Sequence, residues 1–303
     1  MSKRSLVNVL KIILLSTILL VGSVHAATTE VDVVRYASDG VTILDETTVN
    51  YTWMEANLPV LGDGVTHYYH QGPVFVDDAN ETLEQEYRWN QTEDTNVLEK
   101  DMGAVKGTNL KDICDLVGGM SSGETLSVKA SDGLSRTFAY ENVYGYSSRE
   151  GPIVLTWYVD GLGAYPSGSY PDTGYSDGMR LVWFADTSTN PWGVNAFGNY
   201  DWYLAADEPY WYYYYGSATE KYPTTTGLSV KYVSEIKIYS DDPAPVTEII
   251  FEGNVTLADG TFLWTDSGGT EHTVPNLTPH GALEAAFQQD SFTYGGGWAG
   301  SKS

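Results

Sequence analysis

Residues 125–139 read Thr-Leu-Ser-Val-Lys-Ala-Ser-Asp-Gly-Leu-Ser-Arg-Thr-Phe-Ala, and this stretch decides the fold class. Its first arm carries apolar side chains at every second position, namely Leu126, Val128 and Ala130, so one face of that arm is expected to be buried. Asp132-Gly133 at the centre is a strong signal for a hairpin turn. The stretch therefore predicts two antiparallel strands joined by a tight turn.

Two other stretches repeat the pattern of an Asp-Gly turn between runs of β-branched or aromatic residues, which favour strands. The predicted hairpins pair Val31–Tyr36 with Val41–Leu44 and Val255–Leu257 with Phe262–Trp264. Further strands are expected at Ile153–Val159, at Met179–Phe184 and from Leu228–Val233 through Ile238. The predicted fold class is therefore mainly β, or α+β.

One helix of the main domain is clear from its periodicity. We expect it to begin at a Thr108 cap and to end at Gly118-Gly119. Its apolar face is formed by Leu110, Ile113, Leu116 and Val117. Cys114 lies beside that face and is interpreted as a small buried residue.

Two long stretches lack a clear period. Residues 76–101 are rich in acids and asparagine and are predicted to form a solvated loop, whereas residues 186–227 form a long aromatic insertion. A second helix is expected near the end of the chain, at Gly281–Gln288.

The first 26 residues have the layout of a cleaved secretory signal. A basic start at Lys3 and Arg4 precedes an apolar run at 12–21 and a Val24-His25-Ala26 cleavage pattern. An uncleaved anchor is the alternative, but the run is shorter than the roughly 20 apolar residues of a membrane span. We therefore expect residues 1–26 to be a signal peptide, 27–242 the main domain, and 243–303 a second unit after a Pro-rich linker.

Charge and cysteine content narrow the function classes. The formal net charge is −24, which repels nucleic acid and anionic lipid headgroups. Cys114 is the sole cysteine of the chain, so an intrachain disulfide is impossible. We therefore expect a secreted, extracellular protein at the cell surface that has no nucleic-acid partner, no membrane span after signal cleavage, and stability from burial rather than cross-links.

Five sites match the Asn-x-Thr acceptor pattern for N-linked sugar. Any single match could arise by chance, but five matches behind a predicted signal indicate that some of them are glycosylated. The predicted acceptors are Asn50, Asn80, Asn90, Asn254 and Asn276.

Residues 106–240 resemble the oxidoreductase molybdopterin-binding fold of the sulfite-oxidase superfamily. The resemblance rests on the helix at Gly107–Gly119, the turn at Val128–Gly133, the strand at Leu155–Gly161, and the runs Gly178–Val182 and Ser229–Ile236. Enzymes of that family hold molybdenum through a cysteine on an exposed loop, whereas Cys114 lies within the predicted helix. The resemblance therefore implies the fold without the cofactor, and no cofactor is expected.

Residues 246–303 resemble a transcobalamin-C-terminal-like β-grasp domain. Thr278–Ala286 is similar to its helix and Ser291–Tyr294 to the strand that follows. Too few residues remain before Ser303 for the whole β-grasp, so an incomplete unit is expected. A chain that combines these two domains resembles secreted surface proteins of methanogen-type archaea.

The aromatic run at 210–215, Tyr-Trp-Tyr-Tyr-Tyr-Tyr, is the most unusual feature of the sequence. Flat rings with hydroxyl or N–H tips suit sugar stacking and protein interfaces, although a buried aromatic layer would use the same residues. The candidate binding residues are Trp192, Trp202, Tyr210, Trp211, Tyr212 and Tyr213.

Chemistry-bearing motifs are weak. His67 and His70 form the one close histidine pair, and they are weak metal candidates because further ligands are missing. No catalytic residues are predicted, since no nucleophile or triad pattern is present. We expect a non-catalytic module that binds a surface protein, a glycan or a small ligand; the alternatives are a self-associating component of a surface layer or sheath and a divergent extracellular oxidoreductase.

Overall fold

β-Strands dominate the structure, as the hairpin pattern predicts. The computed structural model describes residues 27–75, 79–89, 96–187, 190–216, 220–245 and 251–289. The predicted signal segment lies outside these residues. The chain divides into two compact units, one running up to Ala244 and the other from Pro245.

The strands and helices are short. The strands are β1 (Glu30–Tyr36), β2 (Ile43–Asn50), β3 (Val60–Leu61), β4 (His67–His70), β5 (Asp101–Asn109), β6 (Thr125–Ala130), β7 (Ser135–Ala139), β8 (Ile153–Asp160), β9 (Arg180–Trp183), β10 (Asn195–Phe197), β11 (Tyr213–Tyr215), β12 (Lys221–Pro223), β13 (Val233–Tyr239), β14 (Thr261–Thr265) and β15 (Glu271–Pro275). The α-helices are α1 (Tyr51–Asn57), α2 (Glu81–Trp89), α3 (Leu110–Cys114), α4 (Tyr140–Tyr144), α5 (Asn199–Ala205) and α6 (Pro279–Gln289). Short 3₁₀ helices lie at Asn96–Glu99, Asp115–Val117, Glu208–Tyr210 and Thr225–Leu228.

The first sheet has five strands in the order β2-β1-β13-β6-β7. Strands β6 and β7 pair antiparallel with Leu126 opposite Phe138, which confirms the hairpin predicted from the Asp-Gly turn. The hairpin of β1 and β2 is confirmed as well. Strand β13, the last strand of the main domain, pairs parallel to β1, the first strand. The two ends of the domain are therefore joined by backbone hydrogen bonds within one sheet.

The second sheet has the strand order β10-β4-β5-β8-β9, with β3 paired to β5. Strands β8 and β9 are almost fully buried, as expected for the apolar runs at 153–159 and 179–184. Strand β10, from the aromatic insertion, pairs parallel to β4 at the edge. The insertion is therefore tied to the main domain by backbone hydrogen bonds.

One hydrophobic core joins the two sheets. The first sheet contributes Val33, Leu126 and Ile236 to it, and the second contributes Leu155 and Trp183. Each of these side chains is fully buried. This core positions the aromatic insertion, because rings of the insertion pack against its rim.

The predicted helix at 108–119 is present, but its details differ. Asn109, not Thr108, caps α3, and its side-chain oxygen accepts a hydrogen bond from the Lys111 amide. Thr108 instead lies within β5, one residue before its end, where its hydroxyl accepts a hydrogen bond from the Trp157 indole N–H at 3.1 Å. Cys114 is fully buried, as predicted.

The main domain contains more helices than the single clear one that the sequence predicts. The supposed loop at 76–101 contains α2, and further helices lie at α1, α4 and α5. The strand expected from Leu228 begins only at Val233. A 3₁₀ turn precedes it, and Tyr232 adopts φ +54°, which interrupts extended backbone.

The second unit contains an antiparallel hairpin and one helix in its described part. Strands β14 and β15 pair around a turn at Asp266–Thr270, so the predicted pairing of Val255–Leu257 with Phe262–Trp264 was wrong. Helix α6 confirms the helix predicted at 281–288. The predicted strand at 291–294 lies outside the described residues.

Each described helix is too short or too polar to cross a bilayer.

Candidate functional site

The aromatic insertion builds a cleft beside α5. Gly198 precedes the helix, and its amide donates to the Asp201 carboxylate at 2.8 Å, which fixes the first turn. The chain leaves α5 through Ala206, forms a 3₁₀ turn at Glu208–Tyr210, and continues into β11. This path places Tyr203 of the helix next to Trp211.

The cleft between α4, α5 and the 3₁₀ turn has a volume of about 440 Å³. Tyr203 and Trp211 form its aromatic wall, and Glu141, Asp207 and Glu208 supply its carboxylates. We call it the Trp211 cleft. Its size falls within the roughly 300–1,000 Å³ of small-molecule sites, and it combines apolar faces with a few polar groups, as such sites do.

The Trp211 ring is held at its edge. Its indole N–H donates to the Ala206 carbonyl at 2.7 Å. Its ring centre lies 4.8 Å from that of the buried Trp89 and 5.1 Å from that of Tyr203. Because these contacts fix the ring while it remains half-exposed, a face of Trp211 is preorganised in the cleft.

The charged side chains that line the cleft are carboxylates, which accept hydrogen bonds and carry negative charge. The side chains of Glu141, Asp207 and Glu208 are all exposed. Burial, followed by the Glu208 carboxylate, raises the pKa of Tyr213 to about 12, so its hydroxyl stays a donor at neutral pH. The Asn142 amide is already used, because it accepts from the Ala139 amide and donates to the Ala205 carbonyl.

A second cleft of about 340 Å³ lies on the other side of Glu141 and contains a buried acid, Glu150. Glu150 is only 2% exposed, and its Oε1 has no hydrogen-bond partner in the described part of the chain. Burial raises its pKa to about 8, and the nearby Asp201 carboxylate adds to the shift. Asp201 itself forms an ion pair with Arg149. Sequence reasoning missed Glu150, and Ser-Arg-Glu-Gly at 148–151 gives no signal of burial.

Of the predicted binding residues, Trp202 lies in the core. It is 2% exposed and makes edge-to-face contacts with Trp183 and Phe197, with ring centres 5.9 and 5.8 Å apart. Its indole N–H donates to the Tyr210 carbonyl at 3.1 Å. Trp202 therefore anchors the insertion and presents no face to a ligand.

Tyr210 and Tyr212 are half-buried and pack against the core. The Arg136 guanidinium lies 3.9 Å from the centre of the Tyr212 ring, and that ring also covers Gly227 closely. A cation held over an aromatic face stabilises the contact. These two tyrosines therefore serve mainly as packing residues, which is the alternative that the sequence left open.

Trp192 is half-buried outside the Trp211 cleft. A Cβ on Gly198 would lie 2.5 Å from the Trp192 ring, so the ring covers the start of α5. The structure brings together Trp211 and Tyr213, whose rings both contact Trp89. It does not bring Trp192 to them.

The end of the aromatic run is exposed. Tyr214 and Tyr215 are 49% and 59% exposed, and Phe75, at 65%, contacts Tyr214 edge-to-face. We call Phe75 and Tyr214 the hairpin aromatic face, because Tyr215 follows Tyr214 on β11 and points to the other side of the strand, next to Tyr213. Exposed rings of this kind mark interaction surfaces more often than scattered single residues do.

The two histidines of the weak metal candidate do not converge. His70 is fully buried, and both ring nitrogens are used: Nδ1 donates to the Thr225 carbonyl and Nε2 accepts from the Trp183 amide, each at 3.2 Å. Burial lowers its pKa to about 3, so the ring is neutral. His67 contacts Asp101 at 2.7 Å, and residues three apart on β4 face opposite sides of the strand.

The predicted glycosylation sites differ in accessibility. Asn50, Asn80 and Asn254 are exposed, and Asn276 is half-buried. Asn90 lies outside the described residues. The Cys114 thiol is fully buried, and burial raises its pKa, so it has the character of a core residue rather than of a metal ligand on a loop.

The geometry brings one set of candidate residues together in the main domain: Trp211 and Tyr203 with the carboxylates of Glu141, Asp207 and Glu208. Comparisons of the chain with models of protein families, with curated proteins and with solved structures find no match.

Proposed function

We propose that the chain is a secreted, acidic surface module that binds a neutral glycan in the Trp211 cleft and catalyses no reaction. The observation that carries the proposal is the fixed, half-exposed Trp211 ring beside Tyr203, with three carboxylates around it. The acidic composition and the predicted signal peptide support an extracellular location.

The chemistry of a sugar matches both parts of the cleft. Pyranose rings present C–H faces that pack on aromatic rings, and their hydroxyls donate to carboxylates such as Glu141 and Glu208. The same carboxylates repel anionic ligands, which disfavours sulfated or uronic sugars and nucleic acid. A neutral oligosaccharide is therefore the ligand class that the cleft supports best.

The size of each contribution can be bounded. An aromatic stacking contact contributes about 0.5–1.5 kcal/mol, which is roughly a 2- to 12-fold change in the dissociation constant. Tyr203 is 40% exposed, but its ring also packs against Trp89, Tyr200 and Trp211, so Tyr203→Ala loses packing as well as a ligand contact, and its melting temperature is measured beside its affinity. Glu208 is exposed at the cleft, so Glu208→Gln removes a charge without disturbing the core.

The test is a calorimetric titration. Soluble glucose-based and N-acetylglucosamine-based oligosaccharides are titrated into the wild type and into Tyr203→Ala. We expect binding to the wild type and a 2- to 12-fold weaker affinity for the variant. Tyr239→Ala is the matched control, because Tyr239 is similarly exposed, at 38%, but lies on β13. Absence of binding to every oligosaccharide, or equal weakening by both variants, would overturn the proposal.

A second candidate function, assembly with another protein surface or another copy, is favoured by the hairpin aromatic face. Two exposed rings in contact on one side of the β11–β12 hairpin, Phe75 and Tyr214, are available for a partner. Phe75→Ser with Tyr214→Ser would then abolish concentration-dependent association in sedimentation velocity. Sedimentation of the wild type as a monomer at all concentrations would contradict self-assembly.

A further inference from the structure

Among the described residues, the fold uses the amide oxygen of the Asn50 side chain and leaves its amide nitrogen without a hydrogen bond. It is the N-cap of α1, and its Oδ1 accepts from the Trp53 amide at 2.8 Å and from the Thr52 hydroxyl at 2.7 Å. Its Nδ2 has no hydrogen-bond partner in the described part of the chain, and the residue is exposed. The cap therefore fixes the amide while leaving its nitrogen open to solvent.

The same residue borders a cleft. Asn50, Trp53, Thr47, Thr48 and Leu116 line a space of about 340 Å³ between β2 and the helical segment after β5. Trp53 is 39% exposed there. A group attached to Asn50 Nδ2 is therefore next to a flat apolar ring that the protein itself leaves uncovered.

We propose that Asn50 carries an N-linked glycan whose first sugar packs on Trp53 in this cleft. The Asn50-Tyr51-Thr52 sequence is an acceptor pattern, and the side chains of its first and third residues are already in contact. The proposal rests on the secreted location given in the proposed function, but not on ligand binding in the Trp211 cleft.

The covalent step is a redox-neutral transfer. Asn50 Nδ2 forms a bond to the anomeric carbon of a sugar, and the bond from that carbon to a phosphate leaving group breaks. The nitrogen loses one proton, which leaves with the phosphate. The co-reactant is a phosphate-activated sugar donor, for example one carried on a lipid phosphate, supplied by the glycosylation machinery of the host.

Asn50→Asp is a matched variant for the test. Asp caps helices as well as Asn does, so the cap at α1 is kept while the acceptor nitrogen is removed. Asn80 offers the control site, because it too begins a helix, with its Oδ1 accepting from the Thr82 amide at 3.0 Å. Asn80→Asp therefore removes another acceptor with the same cap chemistry.

The experiment produces the chain with its own leader in a glycosylating host and analyses the secreted protein by glycopeptide mass spectrometry. We expect sugar on Asn50 in the wild type. Unmodified Asn50 in secreted protein would overturn the proposal, as would a chain that is retained uncleaved in the cell. Retention would also contradict the secreted location, while oligosaccharide titration would still test the Trp211 cleft independently.

Packing of the sugar is tested by a double-mutant cycle in denaturant unfolding. Trp53→Ala should lower the folding equilibrium constant roughly 2- to 12-fold more in the glycosylated wild type than in the Asn50→Asp background. In the Asn80→Asp background its effect should equal that in the wild type. Equal effects of Trp53→Ala in the wild type and the Asn50→Asp background would show that the glycan does not contact Trp53.

Discussion

Replacing Glu150 by Gln should remove a pH dependence of stability that a single buried carboxyl imposes. Glu150 is 2% exposed, and its Oε1 is unpartnered in the described part of the chain. The groups that face it are the Ser147 backbone, the Asn142 amide and the Asp201 carboxylate, which is paired with Arg149. Gln has nearly the same shape and is neutral at every pH.

The sign follows from the direction of the shift. Burial raises the pKa of Glu150 from 4.5 to about 8, so between these values the folded state holds a proton that the unfolded state has lost. The contribution is fully present below pH 4.5 and is lost as pH rises to about 8. At about 1.4 kcal/mol per pH unit, this shift corresponds to a loss of about 5 kcal/mol in the free energy of unfolding. That figure is an upper limit, because relaxation of the structure around the charged carboxylate reduces the loss.

The assay is urea unfolding of the wild type and Glu150→Gln from pH 5 to pH 8.5. We expect the stability of the wild type to fall with rising pH relative to that of the variant, with the difference levelling off above pH 8. Glu141→Gln is the control, because Glu141 is an exposed carboxyl on the same cleft, and its curve should follow the wild type. Parallel curves for the wild type and Glu150→Gln would refute the reasoning.

Three further predictions concern packing. Cys114 should not react with a thiol reagent in the native state and should react fully in denaturant, because the thiol is buried and its pKa is raised; rapid native labelling would contradict its place in the core. Gly227→Ala should cost about 1–3 kcal/mol in urea unfolding, since a Cβ there would lie 1.9 Å from the Tyr212 ring; an unchanged midpoint would mean that the ring moves freely. Trp211→Ala should lower the melting temperature, whereas Trp211→Phe should largely keep it, because a ring against Trp89 is retained; equal melting temperatures for both variants would argue against that packing.

The parts of the fold that local chemistry determines were predictable. The Asp-Gly turn at 132–133 with alternating apolar residues gave the correct hairpin, and Cys114 was correctly placed in the core. In the second unit two turn signals competed. The turn at Asp266 formed, where the carboxylate accepts from the amides of Gly268 and Thr270, and the Asp259-Gly260 turn did not become a hairpin.

Helices without a regular apolar period were missed. Helix α5 has aromatic residues on several sides, and its Trp202 enters the core while Tyr203, its neighbour, is 40% exposed. Helix α2 lies in an acid-rich stretch that local composition assigns to solvent. Tertiary packing stabilises α5, whereas α2 does carry a local signal, the Asn80 cap before its first residue, which the acid-rich composition of the stretch obscured.

The candidate site was only partly predictable for the same reason. The sequence marks the aromatic run, but the choice of buried and exposed rings depends on what the run folds against. The Trp211 ring is held at the cleft because it packs against Trp89, which lies on α2, far away in the chain. The carboxylates beside it come from Glu141 and Glu208, which are far apart in the chain, so local sequence gives no sign that they meet.

The most direct test of glycan binding is the indole N–H spectrum of ¹⁵N-labelled protein during titration with a soluble oligosaccharide. Trp211→Phe identifies the Trp211 signal among the nine tryptophans. We predict a saturable shift of the Trp211 signal, while the signals of buried Trp157 and Trp202 stay in place. A Trp211 signal that does not move with any neutral oligosaccharide, or saturable shifts confined to other tryptophans, would contradict the account.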